Sequence, residues 1–170
     1  MTLSATLKTS TNVLLASKTV TFTLNGSTFT ATTNGSGVAS VSTTAPATAG
    51  SYTIVASFAG DSSYGASTKS QTLTDQYSTK LTYTGPTTDV HATSVTLSAT
   101  LKTTAGAVIV GRTVTFKLNG KNLNATTNSS GVASVSTTSP STTGNYTIAI
   151  TLNGDTTYAK TSVNATLTVT

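Results

Sequence analysis

Four carboxylates and one imidazole are the only side chains able to carry acid–base chemistry near neutral pH: Asp61, Asp75, Asp89, Asp155 and His91. A nucleophile needs a base beside it. His91 sits in Asp89-Val90-His91-Ala92-Thr93, a polar run that reads as an exposed loop. Four Asp leave little scope for paired-carboxylate catalysis, and no enzyme activity is expected. Two of the Asp have matching surroundings, Gly60-Asp61-Ser62-Ser63-Tyr64 and Gly154-Asp155-Thr156-Thr157-Tyr158. Calcium is one reading of Asp61 and Asp155, but that ion takes about six to eight oxygens, usually from several carboxylates. The favoured reading is a turn carboxylate that accepts backbone N–H bonds. The absence of cysteine removes disulfides and thiolate metal sites. No cofactor is expected.

The nine Lys and Arg outnumber the acids and set a net charge of +5. They are spread from Lys8 to Lys160 with no basic stripe, so the concentrated footprint of a nucleic-acid binder is missing. No apolar run approaches the roughly 20 residues of a membrane helix, and no membrane insertion is expected within this segment. Met1-Thr2-Leu3 does not open a signal peptide, so any targeting segment is expected to be removed or to lie outside the chain. Six Asn-x-Ser/Thr sequons occur, at Asn25, Asn34, Asn124, Asn128, Asn145 and Asn164. They are candidate glycosylation sites, although a chain so rich in Ser and Thr produces sequons by chance. Asn25 and Asn34 fall in turn sequences and suit the role best.

The elements that must carry these residues follow from composition and repetition. Charged residues are 8% of the chain, against about 25% in ordinary domains. The 44 Thr and 23 Ser fill the gap. They recur in a pattern: Thr2 to Thr9 returns as Thr96 to Thr103, Thr19-Val20-Thr21-Phe22 as Thr113 to Phe116, and Gly37 to Thr44 as Gly131 to Thr138, always 94 residues apart. Residues 2–76 align with 96–170 without a gap, with 40 identities. Two copies of one unit lie in tandem. Residues 77–95 precede the second copy, and Ser78-Thr79-Lys80-Leu81-Thr82-Tyr83 within them reads as a further strand. The expected domains are therefore 1–76, lacking its first strand, and 77–170, complete, with a short junction around Asp75 to Ser78.

Each copy reads as β structure. In Val20-Thr21-Phe22-Thr23-Leu24 apolar side chains alternate with Thr, the period of a half-buried strand. β-branched Thr favours extended backbone and its hydroxyl tolerates water. Asn25-Gly26 and Asn119-Gly120 are two-residue hairpin signals. No stretch carries a helical period. About seven short strands per copy with frequent turns predict an all-β chain of two tandem antiparallel β-sandwiches. Tyr52 and Tyr146, each two residues after a Gly, resemble a tyrosine corner, a scaffold feature. Tyr64 and Tyr158 sit at equivalent positions too and read as structural rather than as a binding platform.

Val114-Thr115-Phe116-Lys117-Leu118-Asn119-Gly120, Gly131-Val132-Ala133-Ser134-Val135, Gly144-Asn145-Tyr146-Thr147-Ile148 and Gly154-Asp155-Thr156-Thr157-Tyr158 together resemble the immunoglobulin-like repeats of large bacterial and archaeal surface proteins. The first copy carries the same marks. The resemblance implies a spacer or stalk of an adhesin-like protein, extracellular at the cell surface, with neighbouring Ig-like repeats or like subunits as partners. It carries over no catalytic residue. Some such domains form internal Lys–Asn or Thr–Gln bonds. Lys8 and Lys102 with Asn12, Asn164 or Gln71 would be the partners, but no buried acid appears to assist them. Two other functions compete. The open edge of a sandwich without its first strand invites strand donation from a neighbour and assembly into a filament. A glycan- or host-binding module would need an exposed aromatic platform, and the chain has no Trp. Ice binding and O-glycosylation of the Thr rows rank lower, because outward Thr is what a solvated β face requires.

Overall fold

The computed structural model describes all 170 residues, which divide into two compact units, Met1–Asp75 and Gln76–Thr170. The chain is all β. No helix is long and apolar enough to cross a membrane.

Unit 1 has six strands: β1 (Thr2–Thr6), β2 (Thr19–Leu24), β3 (Ser27–Thr32), β4 (Val38–Ser42), β5 (Gly50–Phe58) and β6 (Ser67–Asp75). β1 pairs with β4 alone, and the other sheet runs β3-β2-β5-β6. All pairings are antiparallel. The period-two pattern decides what lies between the sheets. In β2, Val20, Phe22 and Leu24 are buried, whereas Thr21 and Thr23 are only partly so. Leu3 from β1 and Ala39 from β4 complete the core from the facing sheet.

Unit 2 has eight strands: β7 (Thr79–Tyr83), β8 (Thr88–Asp89), β9 (Ser94–Thr103), β10 (Thr113–Leu118), β11 (Lys121–Thr126), β12 (Val132–Thr138), β13 (Gly144–Leu152) and β14 (Thr161–Val169). Its sheets run β12-β9-β7 and β11-β10-β13-β14-β8. Six strands repeat those of unit 1 in register. Phe22 faces Phe29 and Ala56, and Phe116 faces Leu123 and Ile150. β7 and β8 have no counterpart in unit 1. β7 adds to the edge of β9, with Leu81 opposite Leu101, and β8 lies parallel to the end of β14.

The Asn-Gly hairpins form as two-residue turns between β2 and β3 and between β10 and β11. Asn25 and Gly26 take φ of 48° and 77°, and Asn119 and Gly120 take 47° and 78°. Positive φ at both positions is what a type I′ turn demands, and Asn followed by Gly meets it at least cost.

Thr is not always outside. Thr33 and Thr127 are buried in turns. Their hydroxyls accept the N–H of Lys18 and Arg112 at 2.9 and 3.0 Å. Their own N–H groups bond the carbonyls of the same two residues, at 2.9 Å in each unit. This doubled contact fixes the segment just before β2 and before β10. Each buried hydroxyl is thereby satisfied, as its burial requires.

Candidate functional site

The Gly-Asp-x-x-Tyr turn joins β5 to β6 and β13 to β14. Its glycine is required by geometry. Gly60 has φ +87°, and a Cβ there would lie 2.8 Å from the Ala66 nitrogen. Gly154 has φ +74°, with the Lys160 nitrogen 2.6 Å from such a Cβ. The carboxylate that follows turns inward on its own loop. Asp61 Oδ1 accepts the N–H groups of Ser63 and Tyr64 at 2.8 and 2.9 Å. Asp155 Oδ1 accepts those of Thr157 and Tyr158 at 2.7 and 2.8 Å. The Asp N–H closes the turn onto the Tyr carbonyl in both units.

The second carboxylate oxygen meets a cation held by the buried threonine. Lys18 Nζ donates to Asp61 Oδ2 at 2.6 Å and stands 5.0 Å from the Tyr64 ring centre. In unit 2, Arg112 Nε lies 3.0 Å from Asp155 Oδ2, and its guanidinium carbon is 5.0 Å from the Tyr158 ring centre. The Arg112 contact is an ion pair without an aligned hydrogen bond, since Nε is buried and no acceptor meets its N–H in line. The Lys18 hydrogen bond, then the Ser63 N–H, hold the Asp61 carboxyl below its ordinary value of 3.8. For Asp155 the Tyr158 and Thr157 N–H groups lead, and Arg112 adds to them. These groups form a latch. It ties the β5–β6 or β13–β14 turn to the start of β2 or β10.

The other predicted residues lie apart from the latch. Tyr52 Oη donates to the Thr48 carbonyl at 2.7 Å and also meets the Thr48 hydroxyl at 2.8 Å. Tyr146 repeats this on Thr142 at 2.9 and 2.5 Å. Each hydroxyl pins the loop that enters β5 or β13. His91 is exposed in the link between β8 and β9. Asn25 lies in a hairpin turn, as does the repeat-equivalent Asn119. Asn34 and Asn128 each cap a turn, accepting N–H bonds from Ser36 and Val38 and from Ser130 and Val132. Asn124 is exposed on β11 and accepts from the Thr115 hydroxyl at 2.9 Å. Nowhere do three His, Cys, Asp or Glu side chains gather as metal ligands would.

Sequence reasoning missed Lys18, Arg112, Thr33 and Thr127. The signal was present, because each pair lies 94 residues apart and keeps its charge or hydroxyl. It was masked by the many other Thr and by the scatter of the cations.

Both units are thus antiparallel β-sandwiches with the same hairpins, corner and latch, which defines an immunoglobulin-like class of repeat. Residues 1–75 match the family model of the bacterial Ig-like domain (group 3). The first unit belongs to that family, and the second repeats its sequence and strand order. No curated protein matches the chain. Among solved structures it is similar to a Ca2+-stabilised adhesin of an Antarctic bacterium that binds ice, at 20% identity and a TM-score of 0.39, over 99% of this chain and 44% of that one. It is similar to invasin, a bacterial integrin-binding protein, at 21% identity and a TM-score of 0.40, over 99% of this chain and 35% of that one. It is also similar to the Yersinia pseudotuberculosis adhesin InvE, at 17% identity and a TM-score of 0.39, over 98% of this chain and 53% of that one. The chain spans about half or less of each of these structures.

Proposed function

We propose that this chain is a spacer segment of a bacterial cell-surface protein of the adhesin type, carrying other domains away from the surface. The observation that carries the reading is how the polar side chains are used. Asp61 with Lys18, Asp155 with Arg112, and the hydroxyls of Tyr52 and Tyr146 are each paired within their own unit. Side chains whose polar atoms are consumed in holding their own turns serve the scaffold. Membership of the bacterial Ig-like family supports the same reading. The partners are then neighbouring Ig-like repeats, and the location is extracellular.

The test is replacement. The segment is set between a surface anchor and a tip domain whose ligand is known, then exchanged for an unrelated pair of sandwiches of equal length. Tip binding by whole cells is expected to be unchanged. Saturable binding of glycan or host protein by the segment alone, removed by point substitution, would contradict the proposal and favour a binding module.

A further inference from the structure

Two lysines face each other across the outer surface of unit 2. β7 pairs with β9 so that Lys80 lies opposite Lys102 and Thr82 opposite Thr100. The Thr104 N–H bonds the Ser78 carbonyl and the Thr84 N–H bonds the Ser98 carbonyl, at 2.9 Å each. The even-numbered pairs of this ladder are therefore the hydrogen-bonded ones, which sets the two lysine Cα atoms about 5.5 Å apart. Their neighbours Leu81 and Leu101 are buried, so both lysines stand on the solvent face. Like charges placed directly opposite destabilise a sheet. Nothing in this sheet relieves them. β7, β9 and β12 contain no Asp or Glu, and the ion pairs of the chain are Lys18 with Asp61 and Arg112 with Asp155.

The hydroxyls around the pair are also uncommitted. Further along the same face Thr96 bonds Ser136 at 2.9 Å and Ser98 bonds Ser134 at 2.8 Å, hydroxyl to hydroxyl. Thr82, Thr84, Thr100 and Thr104 form no such bond. With Lys80 and Lys102 they line one hollow of about 420 Å³, a volume within the range of small-ligand sites. Each ammonium offers three protons and each hydroxyl one. A lining of two cations and four hydroxyls, without a carboxylate, complements a group with two negative charges and several acceptor oxygens.

We infer that this hollow binds a tetrahedral oxyanion carrying two charges, a phosphate or sulfate group. Each ammonium would meet one of its oxygens, which offsets the repulsion between the lysines. Thr82 and Thr100, the next pair along the ladder, would donate to the remaining oxygens. A single carboxylate would leave one lysine uncompensated. A nucleic acid would need a run of such cations, and the rows beyond, Thr96 with Ser136 and Ser98 with Ser134, carry none. All six side chains belong to unit 2, and the site stands whether or not the chain is a spacer.

The test uses the full chain, 15N-labelled, at low ionic strength in a buffer free of both ions. Sodium phosphate and sodium sulfate are titrated in turn, with sodium chloride at matched ionic strength as the reference. Saturable amide shifts are expected at Lys80, Thr82, Thr100, Lys102 and Thr104, and not at Lys117, a lone lysine whose strand partners are Asn122 and Ala149. The tighter of the two ions names the group. Glycerol phosphate, run beside inorganic phosphate, separates two sources: tighter binding assigns the site to a phosphate ester, equal or weaker binding to the free ion. Lys102→Gln is expected to weaken binding at least about fivefold, since one of the two attractions is lost, and Lys102→Arg to retain it. Thr100→Val keeps the branched shape and is expected to weaken binding about threefold or more. In urea unfolding, sulfate is expected to raise the midpoint of unit 2 further in the unsubstituted chain than in Lys102→Gln. Shifts that never saturate, or that chloride reproduces, would overturn the proposal. So would unchanged affinity in Lys102→Gln, or shifts as large at Lys117 as at Lys102.

Discussion

The two units place the same residues in different depths of core. Leu101, Ile148 and Leu167 of unit 2 are fully buried. Leu7, Ile54 and Leu73, their equivalents in unit 1, are only partly buried. The six shared strands have the same order and register, so local structure does not explain the difference. β7 does. It pairs with β9, lies against β14, and places Leu81 over the seam between the sheets. The side chains of β6 and β14 follow this closure. Where the seam is open, β6 carries Lys69 and Gln71, whereas β14 has Val163 and Ala165 at those positions. Burial here is a property of the neighbouring strand, and composition adjusts to it.

The largest effect expected from this contrast comes from a matched pair of truncations. Leu101→Ala should cost unit 2 about 3 kcal/mol, because a fully enclosed side chain leaves a cavity that the surroundings cannot fill. Leu7→Ala should cost unit 1 about 1 kcal/mol, because part of that side chain already meets water. Urea unfolding of the full chain, followed by NMR signals of each unit, reads both values. Equal costs would mean that β7 does not set the depth of burial at this position.

The tyrosine corners should show no such asymmetry. Tyr52→Phe and Tyr146→Phe each lose the bond to a loop carbonyl, worth about 1 kcal/mol, because each hydroxyl bonds its own loop, at Thr48 or Thr142, and not β7. Unequal losses in the same unfolding assay would mean that β7 acts beyond the seam.

The smallest effect is the pH response of the latch. Both carboxyls are held below their ordinary value of 3.8 in the folded chain. The stability they lend is therefore full above 3.8 and is lost as pH falls below it through the lowered folded values. Asp61→Asn and Asp155→Asn should each flatten the acid limb of stability for their own unit, followed as the urea midpoint from about pH 5 to about pH 2. An acid limb unchanged by both substitutions would remove the latch from the account.

Much of the fold was legible because its signals are local. Val20, Phe22 and Leu24 alternate with Thr at the strand period, and Asn25-Gly26 names its own turn. The 94-residue repeat doubled each signal and exposed the extra strand at Ser78 to Tyr83. Long-range partners were harder to read. Nothing near Lys18 in sequence points to Asp61, 43 residues away. Thr33 looks like any other Thr until its hydroxyl is seen buried against the Lys18 N–H. Ser139 shows the same limit. It stands where the first copy has Ala45, and it is buried because its hydroxyl donates to the Val90 carbonyl at 2.6 Å, beside β8, which unit 1 lacks.

β1 is an edge strand in unit 1, whereas its twin β9 is an interior strand in unit 2. Proline at one matched position tests it most directly, since proline is tolerated on edges and excluded from sheet interiors. Thr6→Pro and Thr100→Pro are compared by urea unfolding of the full chain. Thr100→Pro is expected to destabilise unit 2 by at least about 2 kcal/mol, through a lost ladder bond and a displaced β7, while Thr6→Pro is expected to change unit 1 by less than about 0.5 kcal/mol. Equal destabilisation of the two units would contradict it.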